Sequence, residues 1–205
     1  IQALRDSQYK VRLEAVEAVE KRELKEAVPY LIYRCKDKDE LKSVKEKCWT
    51  VLAKLNTSQG NDYLVSVIND KKAGDPTKAK VASVLLENNN AGVKDVIELA
   101  RFTLTSDVHK NLRYSLGKEF AKYDRPEFAD ICSEYIASTD VATQGTGLDM
   151  WAKGRYSSCK AAVEEIAQDA EEEEIPEEEK PKTYQFGKKK KNANAKKAKK
   201  ILEMR

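Results

Sequence analysis

The sequence predicts an all-α protein: a right-handed α-α superhelix (solenoid) of about five helical hairpins, with a charged, disordered C-terminal tail. One observation is a recurring aspartate, spaced by 32 to 36 residues, at Asp6, Asp39, Asp75, Asp107 and Asp140. A second is a set of apolar positions that repeats with almost the same steps, and a third is the absence of any alternating β-branched run. Self-similarity at this period is typical of stacked supersecondary units.

Each period divides into two amphipathic segments, which we name helix A and helix B. The apolar spacing i, i+3, i+4, i+7 in both segments indicates a helix with one buried stripe. The A stripes are Val28, Leu31, Ile32, Cys35; Leu64, Val67, Ile68; Val96, Leu99, Ala100; and Phe128, Ile131, Cys132, Tyr135. The B stripes are Val11, Ala15, Val16, Val19; Val44, Cys48, Val51, Leu52; Val81, Val84, Leu85; and Leu112, Leu116, Phe120. The aspartates precede the B segments, so we expect them to be helix N-caps.

The predicted elements follow in order along the chain. Repeat 1 has only its B helix, near 8–22, because its A helix is cut off at Ile1. Repeats 2 to 5 run near 24–56, 58–89, 91–122 and 125–155, and another A-like segment occupies 157–170. We therefore assign residues 1–170 to one repeat domain with a truncated first repeat, and we expect both of its ends to be open.

The C-terminal part divides by charge into two predicted segments. Residues 164–179 carry ten acids and no base, whereas residues 180–205 carry ten lysines and one arginine against a single glutamate. We assign 171–187 to an acidic, disordered linker, because like charges repel and bury no apolar surface. We assign 188–205 to a lysine-rich tail, whose second half we expect to become helical when a partner neutralises its charge.

Composition argues against most catalytic and membrane classes. There is one histidine, and no GxSxG, P-loop or HExxH motif, so we predict a non-enzymatic protein without cofactor or metal. The four cysteines have no CxxC spacing, which indicates buried thiols in a reducing, intracellular compartment; disulfides and metal binding are the alternatives. We expect a cytoplasmic protein, and the lysine blocks give a nuclear location as the other option. No apolar run approaches the ~18 residues that a membrane span needs.

A basic residue recurs six positions after three of the aspartates, and this slot carries a family resemblance. Arg12, Lys45 and Arg113 occupy the slot; repeat 3 is off by one at Lys80, and repeat 5 has Thr146. The segment Asp6–Ala15 has the pattern Asp-x4-Val-Arg-x2-Ala, and it resembles the turn and second helix of a HEAT repeat. Residues 27–32, with the sequence AVPYLI, resemble the opening of a HEAT first helix. The resemblance covers about 1–156.

The resemblance implies a structural ladder that ties adjacent repeats together. In HEAT families, an aspartate and an arginine form this ladder, so its predicted members here are Asp6, Arg12, Asp39, Lys45, Asp107 and Arg113. Repeat 5 departs from the pattern because Gly145, Thr146 and Gly147 stand where Val-Arg is expected. We expect its B helix to be kinked or to face a ligand.

The aromatic residues offer an alternative reading as stacking platforms for nucleic-acid bases. Trp49 and Trp151 lie in B segments, and Tyr30, Tyr33, Tyr63, Tyr114 and Tyr156 lie in A or B positions. We favour packing between layers, because tryptophan at a helical apolar position is usually buried. Asp149 near Trp151 is the one candidate for the chemistry of a HEAT-like DNA glycosylase, which is less favoured, as is a chromophore lyase.

The preferred function is a scaffold or adaptor that binds another protein along the B-helix face or at an open end. Lys71, Lys72 and Lys110 are candidate edge contacts. The alternative is a nucleic-acid-binding protein that uses the lysine tail with the solenoid as a guide. Its candidate polyanion-binding residues are Lys188, Lys189, Lys190, Lys191, Lys196, Lys197, Lys199 and Lys200. The sequence does not specify the oligomeric state.

Overall fold

The fold is all-α, as predicted. The computed structural model describes residues 1–171 and 192–204, and in these two ranges the chain forms eleven α-helices and no β-strand. The chain divides into two compact units, Ile1–Thr103 and Leu104–Arg205. This grouping differs from the predicted division into a 1–170 domain and a separate tail.

Unit 1 is built from helical hairpins stacked in chain order. Its helices are α1 (Tyr9–Arg22), α2 (Val28–Lys36), α3 (Lys42–Leu55), α4 (Ser58–Asn69), α5 (Asp75–Glu87) and α6 (Val93–Leu104). Helix α2 pairs with α3, and α4 pairs with α5. The B helices α1, α3 and α5 pack side by side, and so do the A helices α2 and α4. These bounds match the predicted repeats to within a few residues.

Unit 2 continues the alternation of A and B helices. Its helices are α7 (Lys110–Phe120), α8 (Ala129–Ile136), α9 (Val141–Gly154), α10 (Lys160–Glu171) and α11 (Ala195–Glu203). Short 3-10 helices precede α7, α8 and α10, at Asp107–His109, Pro126–Phe128 and Ser157–Cys159. Helix α9 packs against α7 and α8, and α11 packs against α10 and α9.

The predicted apolar stripes form the cores of the two units. Leu31, Leu52, Leu64 and Leu85 are fully buried in unit 1. In unit 2, the stripe of Phe128, Ile131, Cys132 and Tyr135 is also fully buried. In unit 2 the Phe120 and Phe128 rings pack edge to face with centroids 4.9 Å apart. Close packing of this kind is what stabilises short helices, because their intrinsic propensity is insufficient in water.

The recurring aspartates are N-caps in only one repeat, so that prediction was wrong for the other four. Asp140 caps α9 and accepts a hydrogen bond from the Thr143 amide at 2.9 Å. The cap positions of α1, α3 and α5 are Gln8, Leu41 and Gly74 instead. The chain enters most B helices through an extra residue or a 3-10 turn, which displaces the aspartate from the capping position.

The ends of the B helices show a regularity that the aspartates do not predict. Glu23, Asn56, Asn89 and Arg155 all have positive φ, between 45° and 52°. Glu23, Asn56 and Asn89 follow one another at intervals of 33 residues. Arg155 lies 66 residues after Asn89, because the B helix of repeat 4 does not end in such a residue. A left-handed residue after the last helical turn is a common helix terminator, and it is usually glycine or asparagine. Glutamate and arginine at this position are therefore unusual.

A buried asparagine fixes the connection after α5. Asn90 is 2 % exposed, and its amide donates to the Ala53 carbonyl at 2.7 Å and to Asn61 at 2.8 Å. Its side-chain oxygen accepts from the Gly92 amide at 2.8 Å. The sequence predicts a turn here, and the structure adds that the turn is hydrogen-bonded to the preceding hairpin.

The C-terminal segment corrects the prediction of a disordered tail. Residues 192–204 are described, and most of them form the helix α11, which is packed in the place of a sixth B helix. Ala195, Ala198 and Ile201 are buried. The acidic linker and Lys188–Lys191 lie outside the described residues apart from Glu171, the last residue of α10.

Candidate functional site

A buried ion-pair network in unit 1 surrounds Glu40. The Arg12 guanidinium donates two hydrogen bonds to the Glu40 carboxylate, each 2.7 Å long, and Arg34 lies 3.4 Å from it. Arg12 also donates to the Asp6 and Ser7 carbonyls at 2.8 and 2.9 Å. The Glu40 carboxylate is fully buried. Burial raises the pKa of Glu40, but the hydrogen bonds from Arg12 and the Leu41 amide outweigh it, so the net pKa is lowered.

The network uses a different acid from the one predicted. Asp39 is exposed, and its backbone amide donates to the Asp37 carboxylate at 3.1 Å. The Asp6 side chain accepts from the Gln8 amide at 2.8 Å and does not face Arg12, which takes only the Asp6 carbonyl. Among the described residues, neither Asp39 nor Lys45 makes a side-chain ion pair. The geometry thus joins Arg12 of one repeat to Glu40 of the next.

A second network in unit 2 surrounds Asp140. Arg113, which is 3 % exposed, lies 3.0 Å from Asp107 and 3.8 Å from Asp140. Lys110 and Thr143 also bind the Asp140 carboxylate, at 2.6 and 2.7 Å. The hydrogen bond from Lys110, followed by that from the Thr143 hydroxyl, lowers the pKa of Asp140 to about 2. Lys110 is therefore engaged within the chain, unlike the exposed Lys71 and Lys72, the other two predicted edge contacts.

The basic slot has a simple structural definition: it is the fourth residue of each B helix. Arg12, Lys45 and Arg113 occupy this position in α1, α3 and α7. In α5 the fourth residue is Lys78, which is 8 % exposed, so the sequence-based choice of Lys80 was two residues too far along the helix. In α9 it is Gln144, which replaces the predicted Thr146. Counting six residues from the aspartate did not identify Lys78 and Gln144, because the turns that precede the B helices differ in length.

Helix α11 is held against unit 2 by polar contacts at both ends. The Asn194 amide donates to the Val141 carbonyl at 3.0 Å and to Gln144 at 2.9 Å. Lys197 donates to the Gly145 carbonyl at 2.6 Å and pairs with Asp149 at 2.8 Å. At the other end, Arg155 donates to the Ile201 and Met204 carbonyls at 3.0 and 2.9 Å.

These contacts change the status of the predicted polyanion-binding lysines. Lys197 is committed to α9, Lys199 is half-buried, and Lys196 and Lys200 are exposed. Lys188–Lys191 lie outside the described residues. The structure therefore brings four of the eight predicted residues onto one packed helix.

The glycines of repeat 5 have a packing role within the continuous helix α9. A side chain at Gly147 would place its Cβ 2.7 Å from the Ile136 amide nitrogen, so α8 and α9 approach here as only glycine allows. A Cβ at Gly145 would lie 3.3 Å from the Asn194 side chain of α11. The expectation of a kinked or ligand-facing helix is replaced by close contact with two neighbouring helices.

The two tryptophans of the B helices are buried and so offer no ring face for base stacking. Trp49 and Trp151 are 8 % and 4 % exposed, and the Trp151 indole donates to the Tyr156 carbonyl at 3.0 Å. Asp149 is paired with Lys197, so the arrangement of a carboxylate beside an exposed aromatic ring is not formed. Tyr33 and Tyr114 are exposed, and Arg34 and Lys118 lie over their rings.

One cleft in unit 1 brings acidic and basic side chains together. A cleft of about 190 Å³ is lined by Glu20, Glu23, Lys25, Val51, Lys54 and Leu55. Glu20 in this cleft is already bound by Lys47 at 2.6 Å and Lys54 at 3.4 Å, and the hydrogen bond from Lys47 lowers its pKa. No cluster of three or more potential metal ligands occurs in residues 1–171 and 192–204. In the same part of the chain, none of the helices combines the length and apolarity of a membrane span.

Comparison with known proteins assigns the family. No curated protein matches the sequence at a significant level. The family described as spirochaete HEAT repeat protein matches residues 1–201, which is almost the whole chain and includes most of α11. The repeated A and B helices, the basic residue at the fourth position of α1, α3, α5 and α7 and this match agree with the predicted HEAT resemblance. The chain therefore belongs to the spirochaete HEAT repeat family.

Proposed function

We propose that this protein is a non-enzymatic scaffold or adaptor that binds another protein through the edge of each unit at which the B helices begin. HEAT repeats generally mediate protein interaction, which supports a macromolecular partner. The observation that carries the proposal is a set of exposed apolar side chains at this edge. They are Tyr9, Leu41, Val108 and Val141, with 42 %, 45 %, 81 % and 54 % exposure.

The exposed residues recur at the repeat spacing, so each unit presents a pair of them. Tyr9 is the first residue of α1, and Leu41 immediately precedes α3, which packs beside α1. Val108 precedes α7, and Val141 is the first residue of α9, which packs beside α7. Packed helices lie roughly 10 Å apart, so each pair forms a small apolar contact surface. Exposed apolar residues in such groups mark sites of protein interaction.

The experiment compares proteins captured by the wild-type chain and by surface variants from an extract of the source cells. The edge variant carries Leu41→Lys and Val108→Lys, and the control variant carries Lys94→Ala and Glu14→Ala at exposed polar positions. We expect a partner protein that the wild type and the control variant both capture and that the edge variant does not capture. Equal capture by all three baits would move the site away from this edge, and no specific capture would overturn the scaffold proposal.

Nucleic-acid binding is the second candidate, and the exposed Lys196 and Lys200 on α11 are the observation that favours it. It ranks lower because Lys197 is already paired with Asp149. Fluorescence anisotropy with duplex and single-stranded DNA across a salt series tests it. A steep loss of affinity with salt, reduced by Lys196→Gln and Lys200→Gln, would promote this candidate above the scaffold proposal.

A further inference from the structure

The fold brings the four cysteines together as two pairs, although no two of them are close in sequence. Cys35 lies in α2 and Cys48 in α3, whereas Cys132 lies in α8 and Cys159 in the 3-10 helix before α10. All four are buried and present as free thiols. The sequence predicted buried thiols, with disulfides and metal binding as the alternatives, but it did not predict which cysteines meet; that depends on the packing of the helices.

The first pair is defined by a hydrogen bond at one turn of α3. The Cys35 thiol donates to the Lys45 carbonyl at 3.9 Å, and Lys45 precedes Cys48 by three residues. Helical side chains lean toward the N-terminus, over the preceding turn, so the Cys48 thiol lies above the same turn. The two thiols therefore face each other. Burial, followed by the interaction with Cys48, raises the pKa of Cys35.

The second pair repeats this geometry in unit 2. The Cys159 thiol donates to the Ala129 carbonyl at 3.6 Å, and Ala129 precedes Cys132 by three residues. The Cys132 thiol in turn donates to the Gly147 carbonyl at 3.5 Å. Burial and the adjacent Cys159 raise the pKa of Cys132. In both pairs, one thiol lies at the carbonyl three residues before the other cysteine, so we expect both pairs to undergo the same reaction.

We propose that Cys35–Cys48 and Cys132–Cys159 are oxidative modification sites, at which a small-molecule disulfide such as oxidised glutathione converts each thiol pair to an intramolecular disulfide. This inference is independent of the protein-binding function. Two thiols without a third potential ligand, among the described residues, favour disulfide formation over coordination of a tetrahedral metal.

The reaction is a two-step thiol–disulfide exchange. A thiolate of the pair attacks one sulfur of oxidised glutathione, which forms a mixed disulfide and releases one glutathione thiolate. The second thiolate attacks the protein sulfur of that mixed disulfide, forms the intramolecular bond and releases the second glutathione. The two protein thiols are oxidised, one glutathione disulfide is reduced, and the two protons are transferred to the released thiolates. In the folded protein Cys35 is 7 % exposed, whereas Cys48, Cys132 and Cys159 are fully buried. Cys35 is therefore the attacking residue of its pair, and the Cys132–Cys159 pair reacts while the chain folds, before its thiols are buried.

Each disulfide would tie two elements that the fold already holds in contact. Cys35–Cys48 links the two helices of one hairpin, and Cys132–Cys159 links α8 to the turn that opens the next hairpin. A bond that closes a chain loop stabilises the folded state mainly by restricting the unfolded chain. We expect the melting temperature of the oxidised protein to exceed that of the reduced protein by on the order of 10 °C. The Cys132–Cys159 disulfide is expected to contribute more, because it closes the longer loop.

The test uses the full chain refolded in a buffer of reduced and oxidised glutathione. Free thiols are blocked with N-ethylmaleimide, and non-reduced peptides are mapped by mass spectrometry. Four cysteines allow three pairings, of which the proposal predicts only one. We expect the peptides that contain Cys35 and Cys48 to be joined, those that contain Cys132 and Cys159 to be joined, and each disulfide to lower the mass by two hydrogen atoms.

Two variants serve as matched controls. Cys48→Ala is expected to retain only Cys132–Cys159, and Cys159→Ala only Cys35–Cys48. Peptides joined in either other pairing, or four blocked thiols after refolding, would overturn the proposal. So would an oxidised protein that melts no higher than the reduced one, because the native packing would then not accommodate the bonds. If a variant fails to fold, the wild-type peptide map alone still decides.

Discussion

Glu40 is the residue on which the ladder of unit 1 depends, because it is the buried partner of two arginines. We predict that Glu40→Ala destabilises the protein by roughly 3–5 kcal/mol, since it leaves the buried Arg12 without its carboxylate partner, whereas Arg34 keeps its ion pair with Asp37. The double variant Arg12→Met, Glu40→Met is expected to lose less, because both charges leave together. Urea unfolding measures both.

The control for this prediction is an exposed ion pair. Lys42 and Glu46 lie 3.6 Å apart, with Lys42 85 % exposed, so Glu46→Ala is expected to cost less than about 1 kcal/mol. If Glu40→Ala costs no more than Glu46→Ala, the buried network is not a stabilising ladder.

Asp140 gives the stability a dependence on acid pH. Its pKa in the folded protein, about 2, is below the ordinary value of about 3.9. The unfolded chain therefore takes up the proton first, and the contribution of Asp140 is complete above about pH 5 and is lost as pH falls toward 2. We expect Asp140→Asn to reduce the acid-induced loss of stability between pH 5 and pH 2, measured by urea unfolding. The exposed Asp130→Asn is the control; an identical pH profile for both variants contradicts the prediction.

The helix ends show how one backbone geometry can have two roles. Glu23 and Arg155 both have positive φ, but only Arg155 binds another element, α11. We predict that Glu23→Gly stabilises by about 0.5–1 kcal/mol, because glycine adopts this conformation without strain. Arg155→Gly is expected to destabilise, because the hydrogen bonds to α11 are lost. Thermal unfolding of the two variants should shift in opposite directions, and a shared direction would contradict this account.

Helix α9 reverses the usual preference for alanine over glycine at one position. Gly→Ala in a helix normally stabilises by about 1 kcal/mol. At Gly147 the new methyl group meets backbone atoms of α8, so we predict that Gly147→Ala destabilises by roughly 1–3 kcal/mol. At Gly145 it meets only a movable side chain, so Gly145→Ala is expected to be clearly less harmful. Chemical denaturation of the two variants tests this; equal losses would show that contact with α8 is not the cause.

At the scale of the whole molecule, α11 converts an open end into a covered one. Ile201 is 6 % exposed, and we predict that Ile201→Asp releases α11, because a buried unpaired carboxylate is strongly unfavourable. Hydrogen exchange should then show loss of protection in 195–203 and retention in 129–154. Lys200→Asp makes a charge change of the same sign at an exposed site and should leave α11 protected. Retained protection in Ile201→Asp would mean that the polar contacts alone hold α11.

The periodic features were predictable from the sequence because they depend on local patterns. The A and B stripes follow from the helical spacing of Val28, Leu31, Val44 and Leu52, and the structure buries all four. The ladder was predicted only in outline. Glu40 was missed because the resemblance assigned the acidic member of the ladder to Asp39. Whether the carboxylate of Asp39 or that of the adjacent Glu40 is buried depends on the length of the turn before α3. A count from the start of each B helix, rather than from the aspartate, would have found Lys78.

The sequence by itself determined the fold class, the repeat period, the helices up to α10 and the family, because each rests on short-range periodicity and on a hairpin pattern that recurs within the chain. Tertiary structure alone decided which groups meet across distant parts of the chain. It placed α11 on α9 and α10, joined Lys197 to Asp149 and paired the cysteines. The physical reason is that apolar spacing specifies which face of a helix is buried, whereas the partner of that face depends on turn lengths and close packing that no local pattern encodes.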